Sequence, residues 1–335
     1  MSKKKILFIG GSLNQTTIMH QISKFLDKEY DCYFAPFYAD KGYLKYLKDK
    51  GLLEFSIFGG VFRGRSLKYM NEKNLKVDEE GKNNDYDLVL LPVDLYVPYN
   101  IRNKPILLVQ EGMTDPENFF YYLVKWFKFP RWMASTSAFG LSDVYQKFCV
   151  ASEGYKELFI KKGVKEEKIV ITGIPNFDNM KKYLDNDFPL NGYVLVATSD
   201  MRETFKYDNR KKFLKKCAKI AKGRQIIFKL HPNEKFKRAK KEIEKYAPGS
   251  LIFREGNTEE MIANCEVLIT QFSSVVYVGL ALGKECYSYF DMGQLKKLLP
   301  DQNGGKSSEN IANVCRSLLE KKIGEYENSY CHSGA

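Results

Sequence analysis

Apolar residues fall in short dense runs along the chain. Residues 5–9 form the first, closed by Gly10-Gly11-Ser12, and further runs lie at 31–35, 86–92, 105–110, 147–151 and 169–172. Each has the length of one strand, and a strand apolar on both faces belongs inside a parallel sheet covered by helices. Helical spacing of apolar positions separates them at 17–25 and 153–162. Periodicity then fades over 175–191, which holds Pro175, Pro189 and several Asn and Asp residues around a short helix at 179–184. Beyond that stretch the alternation restarts. It predicts strands at 193–197, 225–230, 251–253, 267–270 and 285–289, helices at 209–221, 234–246, 258–264 and 274–281, and a closing helix at 309–321.

Strand and helix in alternation define the α/β class with parallel sheets. The expected architecture is two Rossmann-like domains, each a parallel sheet flanked by helices, with a cleft between them. The division is 1–178 for the first domain and 190–322 for the second, with a disordered tail over 323–335. A length of 335 residues agrees, being too long for one ordinary core and right for two domains of roughly 150.

Composition narrows the function classes. No run approaches the roughly 18 apolar residues of a membrane span, and the start leads straight into a strand, so no signal peptide is expected. Seven scattered cysteines without a CxxC pair argue against a disulfide framework and for the cytoplasm. The three histidines, at 20, 231 and 332, form no ligand-like cluster, and no metal site is expected. A net charge of +12 suits nucleic acid, an anionic membrane face or a phosphorylated substrate. Its clusters at 211–222 and 235–245 read as solvated helix faces, and without a nucleic-acid-binding signature no nucleic acid is expected as partner.

In open α/β sheets ligands sit beyond the carboxyl ends of strands, so the residues just after each strand are the candidates for chemistry. His231 and Pro232 follow the strand at 225–230. Ser273 and Ser274 follow the strand at 267–270, where hydroxyls that cap a helix can also hold a phosphate. Glu111 follows the strand at 105–110 with Gly112 beside it, as a candidate general base with Asp115 as its substitute. Gly10, Gly11 and Ser12 let a substrate approach the backbone on the acceptor side, without the spacing of a dinucleotide site. Gly173 and Asn176, in the turn Gly173-Ile174-Pro175-Asn176, and Arg202, after Thr198-Ser199-Asp200, complete the set as donor-side candidates.

A strand ending in His-Pro, followed about forty residues later by a strand, Ser-Ser and a helix ending in Leu280-Ala281-Leu282-Gly283-Lys284, resembles the C-terminal domain of GT-B enzymes that use cytidine-nucleotide donors. That group includes bacterial sialyl- and polysialyltransferases, capsule Kdo transferases and CDP-glycerol glycerophosphotransferases. The resemblance covers about 100 residues. It implies that His231, Ser273 and Ser274 bind the donor's nucleotide phosphate. It also implies a base from an acidic-acidic-glycine motif, of which Gln110-Glu111-Gly112 keeps one acid. The implied function is transfer of a sugar or glycerol-phosphate unit from a CMP- or CDP-linked donor to a glycan or lipid-linked acceptor in surface polysaccharide or capsule biosynthesis. No metal and no cofactor beyond the activated donor are expected, because no DxD-like motif stands at a strand end.

Two other readings stay open. A UDP-N-acetylglucosamine 2-epimerase shares the GT-B fold, but that family carries an acidic residue in the helix after its serine-glycine turn, where this chain has Val275-Val276-Tyr277-Val278. Its Arg-Pro-Glu signature is also missing after Gly10-Gly11-Ser12-Leu13. A non-catalytic nucleotide-sugar binding protein would account for the incomplete acidic motif. From charge alone, a peripheral contact with the anionic inner face of the cell membrane is expected.

Overall fold

The computed structural model of the chain describes residues 3–53, 57–203 and 207–331, with the backbone alone for 321–331. The chain divides into two compact units, Met1–Asp178 with Asn303–Ala335, and Asn179–Gln302.

The first unit runs β1 (Lys5–Gly10), α1 (Leu13–Ser23), β2 (Asp31–Pro36), α2 (Gly42–Asp49), α3 (Gly60–Glu72), β3 (Lys76–Val77), β4 (Leu88–Leu91), β5 (Ile106–Val109), α4 (Phe119–Phe127), β6 (Lys147–Val150), α5 (Glu153–Lys162) and β7 (Ile169–Ile171). Its strands form one parallel sheet in the order β3-β2-β1-β4-β5-β6-β7. Because side chains alternate across a strand, each apolar run feeds two cores. Ile6, Phe8, Leu88, Leu90, Leu107, Val109 and Cys149 face Ile18, Met19 and Ile22 of α1. Phe148, next to Cys149, points the other way and packs between Phe139 and Phe159, with ring centroids at 5.1 and 4.6 Å.

The second unit runs β8 (Tyr193–Ala197), α6 (Arg210–Ala221), β9 (Ile226–Lys229), α7 (Phe236–Tyr246), β10 (Leu251–Phe253), α8 (Thr258–Asn264), β11 (Cys265–Thr270), α9 (Val276–Ala281), β12 (Glu285–Tyr287) and α10 (Met292–Lys297). The parallel sheet has the order β10-β9-β8-β11-β12. Phe213, Leu214, Cys217, Ala239 and Ile243 of α6 and α7 cover Val194, Val196, Phe228, Val267 and Ile269 of the strands. On α9, Gly279 permits a close approach to the sheet, since a Cβ there would lie 2.6 Å from Leu268 and 2.7 Å from the Cys286 sulfur.

Two boundaries need correction. The closing helix, predicted as the last element of the domain over 190–322, is α11 (Ser307–Cys331) and belongs to the first unit. Its buried Ile311, Ala312, Cys315 and Leu319 join the core made by α1, β1 and β4, and Arg316 pairs with Glu29 at 2.7 Å. An amphipathic pattern shows that a helix has a face to bury, and does not say which sheet receives it. The helix also runs through Gly324, where the tail over 323–335 is expected to fray; residues 332–335 lie outside the described residues. In addition, residues 179–189, between the two predicted domains, belong to the second unit, where Met180 is buried and Asn186 accepts a hydrogen bond from Asn264 at 2.7 Å.

Candidate functional site

Strand order reverses between β1 and β4 in one sheet and between β8 and β11 in the other. Diverging connections open a crevice at the carboxyl ends of the strands at such a point, and ligands of open α/β sheets bind there.

In the first unit the crevice begins with Gly10-Gly11-Ser12. A Cβ on Gly10 would meet Thr16 Oγ1 at 2.6 Å and one on Gly11 would meet Gln15 Oε1 at 2.8 Å, so the two glycines let α1 close onto the end of β1. Ser12 caps that helix: its hydroxyl accepts from the Gln15 N–H at 3.1 Å, and Gln15 Oε1 accepts in return from the N–H groups of Ser12 and Gly11. Gln15 Nε2 is thereby aimed at Glu111, donating to Oε2 at 2.6 Å, while Asn14 Nδ2 donates to Oε1 at 2.6 Å. Asn176 Nδ2 donates to Asn14 Oδ1 at 3.0 Å and closes the group. Gly10, Gly11, Ser12, Glu111 and Asn176, separate candidates in the sequence, thus meet at one edge through Asn14 and Gln15.

The loop carrying Glu111 is fixed from below. Gln110 is fully buried, its Oε1 accepting from the Ala151 N–H at 2.9 Å and its Nε2 donating to the Gly112 carbonyl at 2.8 Å. Asp115 is used elsewhere, accepting from the hydroxyls of Ser135 and Thr136 at 2.8 Å each. Gly173 serves close packing, because at its φ of +72° a Cβ would stand 2.3 Å from Ser307 Oγ and 2.4 Å from Asn303 Nδ2.

In the second unit His231 follows β9 with its side chain 38% exposed. The Asn233 N–H donates to its Nδ1 at 3.3 Å, and Asp200 Oδ2 lies 3.6 Å from the same nitrogen. With Nδ1 accepting, the neutral ring carries its proton on Nε2, the nitrogen left to serve a ligand. The backbone beneath is tied to a buried ionic network. His231 N–H donates to Glu234 Oε2 at 3.1 Å and to Thr198 Oγ1 at 3.2 Å, and the Thr198 hydroxyl donates to the same Glu234 carboxylate. Arg210 joins Glu234 and Asp208 at 2.8 and 2.9 Å, all three side chains being at most 5% exposed. Gln271 Nε2 donates to Asp208 at 2.9 Å, and its Oε1 accepts from the Ser199 hydroxyl at 3.0 Å. One chain of hydrogen bonds therefore links the ends of β8, β9 and β11.

Ser273 and Ser274 stand immediately after Gln271-Phe272, half-buried at the start of α9, where the Ser273 hydroxyl accepts from the Val275 N–H at 3.5 Å. Arg202 is engaged, donating twice to Glu242 at 2.8 and 2.9 Å and lying 3.6 Å from Asp208. Phe272 and Asp208 also line a pocket of about 440 Å³ with Tyr207, Lys212, Lys216 and Tyr289. Sequence reasoning missed Asn14, Gln15, Asp208, Arg210 and Glu234. Glu234 reads as the start of a helix, and Arg210 as the edge of a basic solvated face.

Two Rossmann-like domains with these strand orders define the GT-B fold. Solved structures agree. One variant of the wall teichoic acid polymerase TagF, soaked with CDPG, is similar at a TM-score of 0.50 and 12% identity, over 96% of this chain and 90% of that one. UDP-GlcNAc 2-epimerase from Neisseria meningitidis, bound to UDP-GlcNAc, is similar at 0.54 and 13%, over 93% and 100%. A putative UDP-N-acetylglucosamine 2-epimerase from Listeria monocytogenes is similar at 0.54 and 14%, over 96% and 89%. No protein-family model matches the chain, and no curated protein matches it in sequence.

Proposed function

We propose that the chain is a nucleotide-activated transferase of surface-polysaccharide assembly. It moves a sugar or glycerol-phosphate unit from a CMP- or CDP-linked donor to a glycan or lipid-linked acceptor at the cytoplasmic side of the membrane. The observation that carries this reading is the ionic network under His231. Buried charges are costly, and a network that ties the strand end carrying His231 to Gln271, at the strand end before the serine pair, is explained by a ligand that needs both ends in register.

In this reading the donor phosphates lie over Ser273, Ser274 and His231, with Lys212 and Lys216 supplying nearby positive charge. Glu111 is the base, held by two neutral amides with lone pairs left to accept a hydroxyl proton. The acceptor oxygen forms its bond to the donor carbon or phosphorus and gives up its proton, and Glu111 is the group of the first unit chemically suited to take it. The bond to the nucleotide phosphate breaks, and the charge that develops on the leaving group meets the His231 Nε2–H and the serine hydroxyls.

The similarity to UDP-GlcNAc 2-epimerases, over the full length of one of them, supports a second reading in which the same edge holds a uridine diphosphate sugar. Thermal unfolding against CMP, CDP, UDP, GDP and ADP separates the two. At 100 times its dissociation constant a ligand adds about 2.7 kcal/mol to the native state. A rise with cytidine nucleotides alone, lost in His231→Ala, is the outcome expected; a rise with UDP alone favours the epimerase, and no rise with any of the five rejects both. Glu111→Ala then distinguishes catalysis from mere binding, since a transferase loses turnover and keeps the cytidine shift.

A further inference from the structure

A run of exposed apolar side chains of the first unit lies on α4 and the turn after it. On its inner side Tyr121 and Val124 are buried and pack against Leu95, Ala134, Ala138 and Leu141. Its outer side carries Phe119, Phe120, Trp126 and Phe127, between 47% and 71% exposed, and the chain continues with exposed Phe129 and Trp132. Globular surfaces scatter such side chains singly, and a contiguous group marks an interaction site.

The platform is firmly held. Lys162 reaches under α4 to donate to the Ser137 carbonyl at 2.9 Å, its ammonium 5.6 Å from the Tyr121 ring centre. The N–H groups of Gly140 and Ser142 each donate to the buried Asp94 carboxylate at 2.9 Å, and Arg131 donates to the Asp94 carbonyl at 3.1 Å. Asp115 ties Ser135 and Thr136 from the other side. The aromatic side chains stay outside while the segment beneath them is pinned.

Charge selects what covers the patch. Between Glu117 and Asp143 there is no acidic residue, and the charges are Lys125, Lys128 and Arg131. A second copy meeting this one through a two-fold contact would bring those cations together without an acid from either segment. Phe, Tyr and Trp mixed with Lys is instead the composition of surfaces that enter the interfacial layer of a bilayer, rings among the acyl boundary and ammonium groups among the phosphates. Among the described residues no helix is long and apolar enough to cross a membrane. We propose that α4 and residues 128–132 form a docking surface that lies in the interface of an anionic lipid membrane. This inference does not rest on the transferase reading.

Both tryptophans of the chain, Trp126 and Trp132, are in the patch, so its emission reports on the patch directly. The full chain is mixed with vesicles of phosphatidylcholine alone or with added phosphatidylglycerol, and emission and co-sedimentation are followed. Anionic vesicles should shift the emission to shorter wavelength and pellet the protein. Phe119→Ser with Phe127→Ser should weaken partitioning by about tenfold or more. Lys125→Glu with Lys128→Glu should remove the preference for anionic lipid. Unchanged thermal midpoints and far-ultraviolet circular dichroism would show that both variants fold and that any loss is one of docking. Unaltered emission with either vesicle overturns the proposal, as does equal binding by wild type and the double serine variant. So does an emission already short in wavelength without vesicles that depends on protein concentration, which would mean that a second copy covers the patch.

Discussion

Replacing Gly173 by alanine tests whether this turn serves packing or the donor. The residue sits at a φ of +72°, where a side chain costs about 1 kcal/mol. Its new Cβ would stand 2.3 Å from Ser307 Oγ and 2.4 Å from Asn303 Nδ2, so both groups must move. Asn303 Nδ2 donates to the Thr172 carbonyl at 3.0 Å and to Ser307 Oγ at 3.3 Å, and losing these adds about 1 kcal/mol or more. The expected total is about 2–3 kcal/mol, which lowers the thermal midpoint of a unit of this size by roughly 5–10 °C. In a background of Asn303→Ala and Ser307→Ala the collision is gone and the backbone strain stays, so the same substitution should cost about 1 kcal/mol. Circular dichroism and urea titration of the four proteins complete the cycle. A cost within about 0.5 kcal/mol of zero, or one undiminished in the truncated background, would refute the packing argument. Should stability hold while the nucleotide-induced rise disappears, the glycine belongs to the donor site.

Ser12→Ala removes one half of a capping box and should cost about 1 kcal/mol in urea unfolding, with nucleotide shifts retained. Arg210→Met leaves Asp208 and Glu234 buried without their common partner and should destabilise the second unit by about 3 kcal/mol or more, read from the denaturation midpoint. Burial pushes the Lys162 ammonium from its usual 10.5 down to about 8. Between those values the unfolded chain binds a proton that the folded one has released, so this group makes stability rise with pH by up to ~3 kcal/mol from pH 8 to 10.5. Subtracting the pH profile of Lys162→Met from that of the wild type should isolate the rise, and a flat difference would show that the lysine is not desolvated.

The strands were legible because a parallel strand buried on both faces is a dense apolar run, as at 193–197, which the structure reproduces as β8. α4 was illegible for the opposite reason. Its segment, Phe119 to Phe127, is apolar outside as well as inside, so apolar character alone does not tell its buried face from its exposed one, and the same excess of aromatic residues is what makes its surface unusual. α2 and α3, too, were not foreseen, each burying only one or two residues. For the candidate site, position after a strand was the ground on which Glu111 and His231 were chosen. Their partners were beyond reach because Gln15 lies 96 residues from Glu111 and Arg210 lies 24 from Glu234, distances that no local pattern spans.

The two crevices are supported in different ways, and the difference bears on their chemistry. Around Glu111 the donors are the neutral amides of Asn14 and Gln15, so the carboxylate is oriented without being neutralised. Such a group can still take a proton from a hydroxyl brought to it. Under His231 the charges are ionic and compensate one another: Arg202 and Arg210 carry two positive charges against three negative ones on Asp208, Glu234 and Glu242. That set has no positive charge to spare for a phosphate. In the transferase reading proposed above, recognition of an anion at this edge would fall to groups outside the network, namely the His231 Nε2–H, the hydroxyls of Ser273 and Ser274, and Lys212 and Lys216 in the adjoining pocket. Arg202, although it follows a strand as a phosphate ligand would, belongs to the support. If that assignment is right, Lys212→Ala with Lys216→Ala should weaken nucleotide binding with little loss of stability. Arg202→Ala should do the reverse, and a calorimetric titration beside a melting curve would expose any exchange of the two roles.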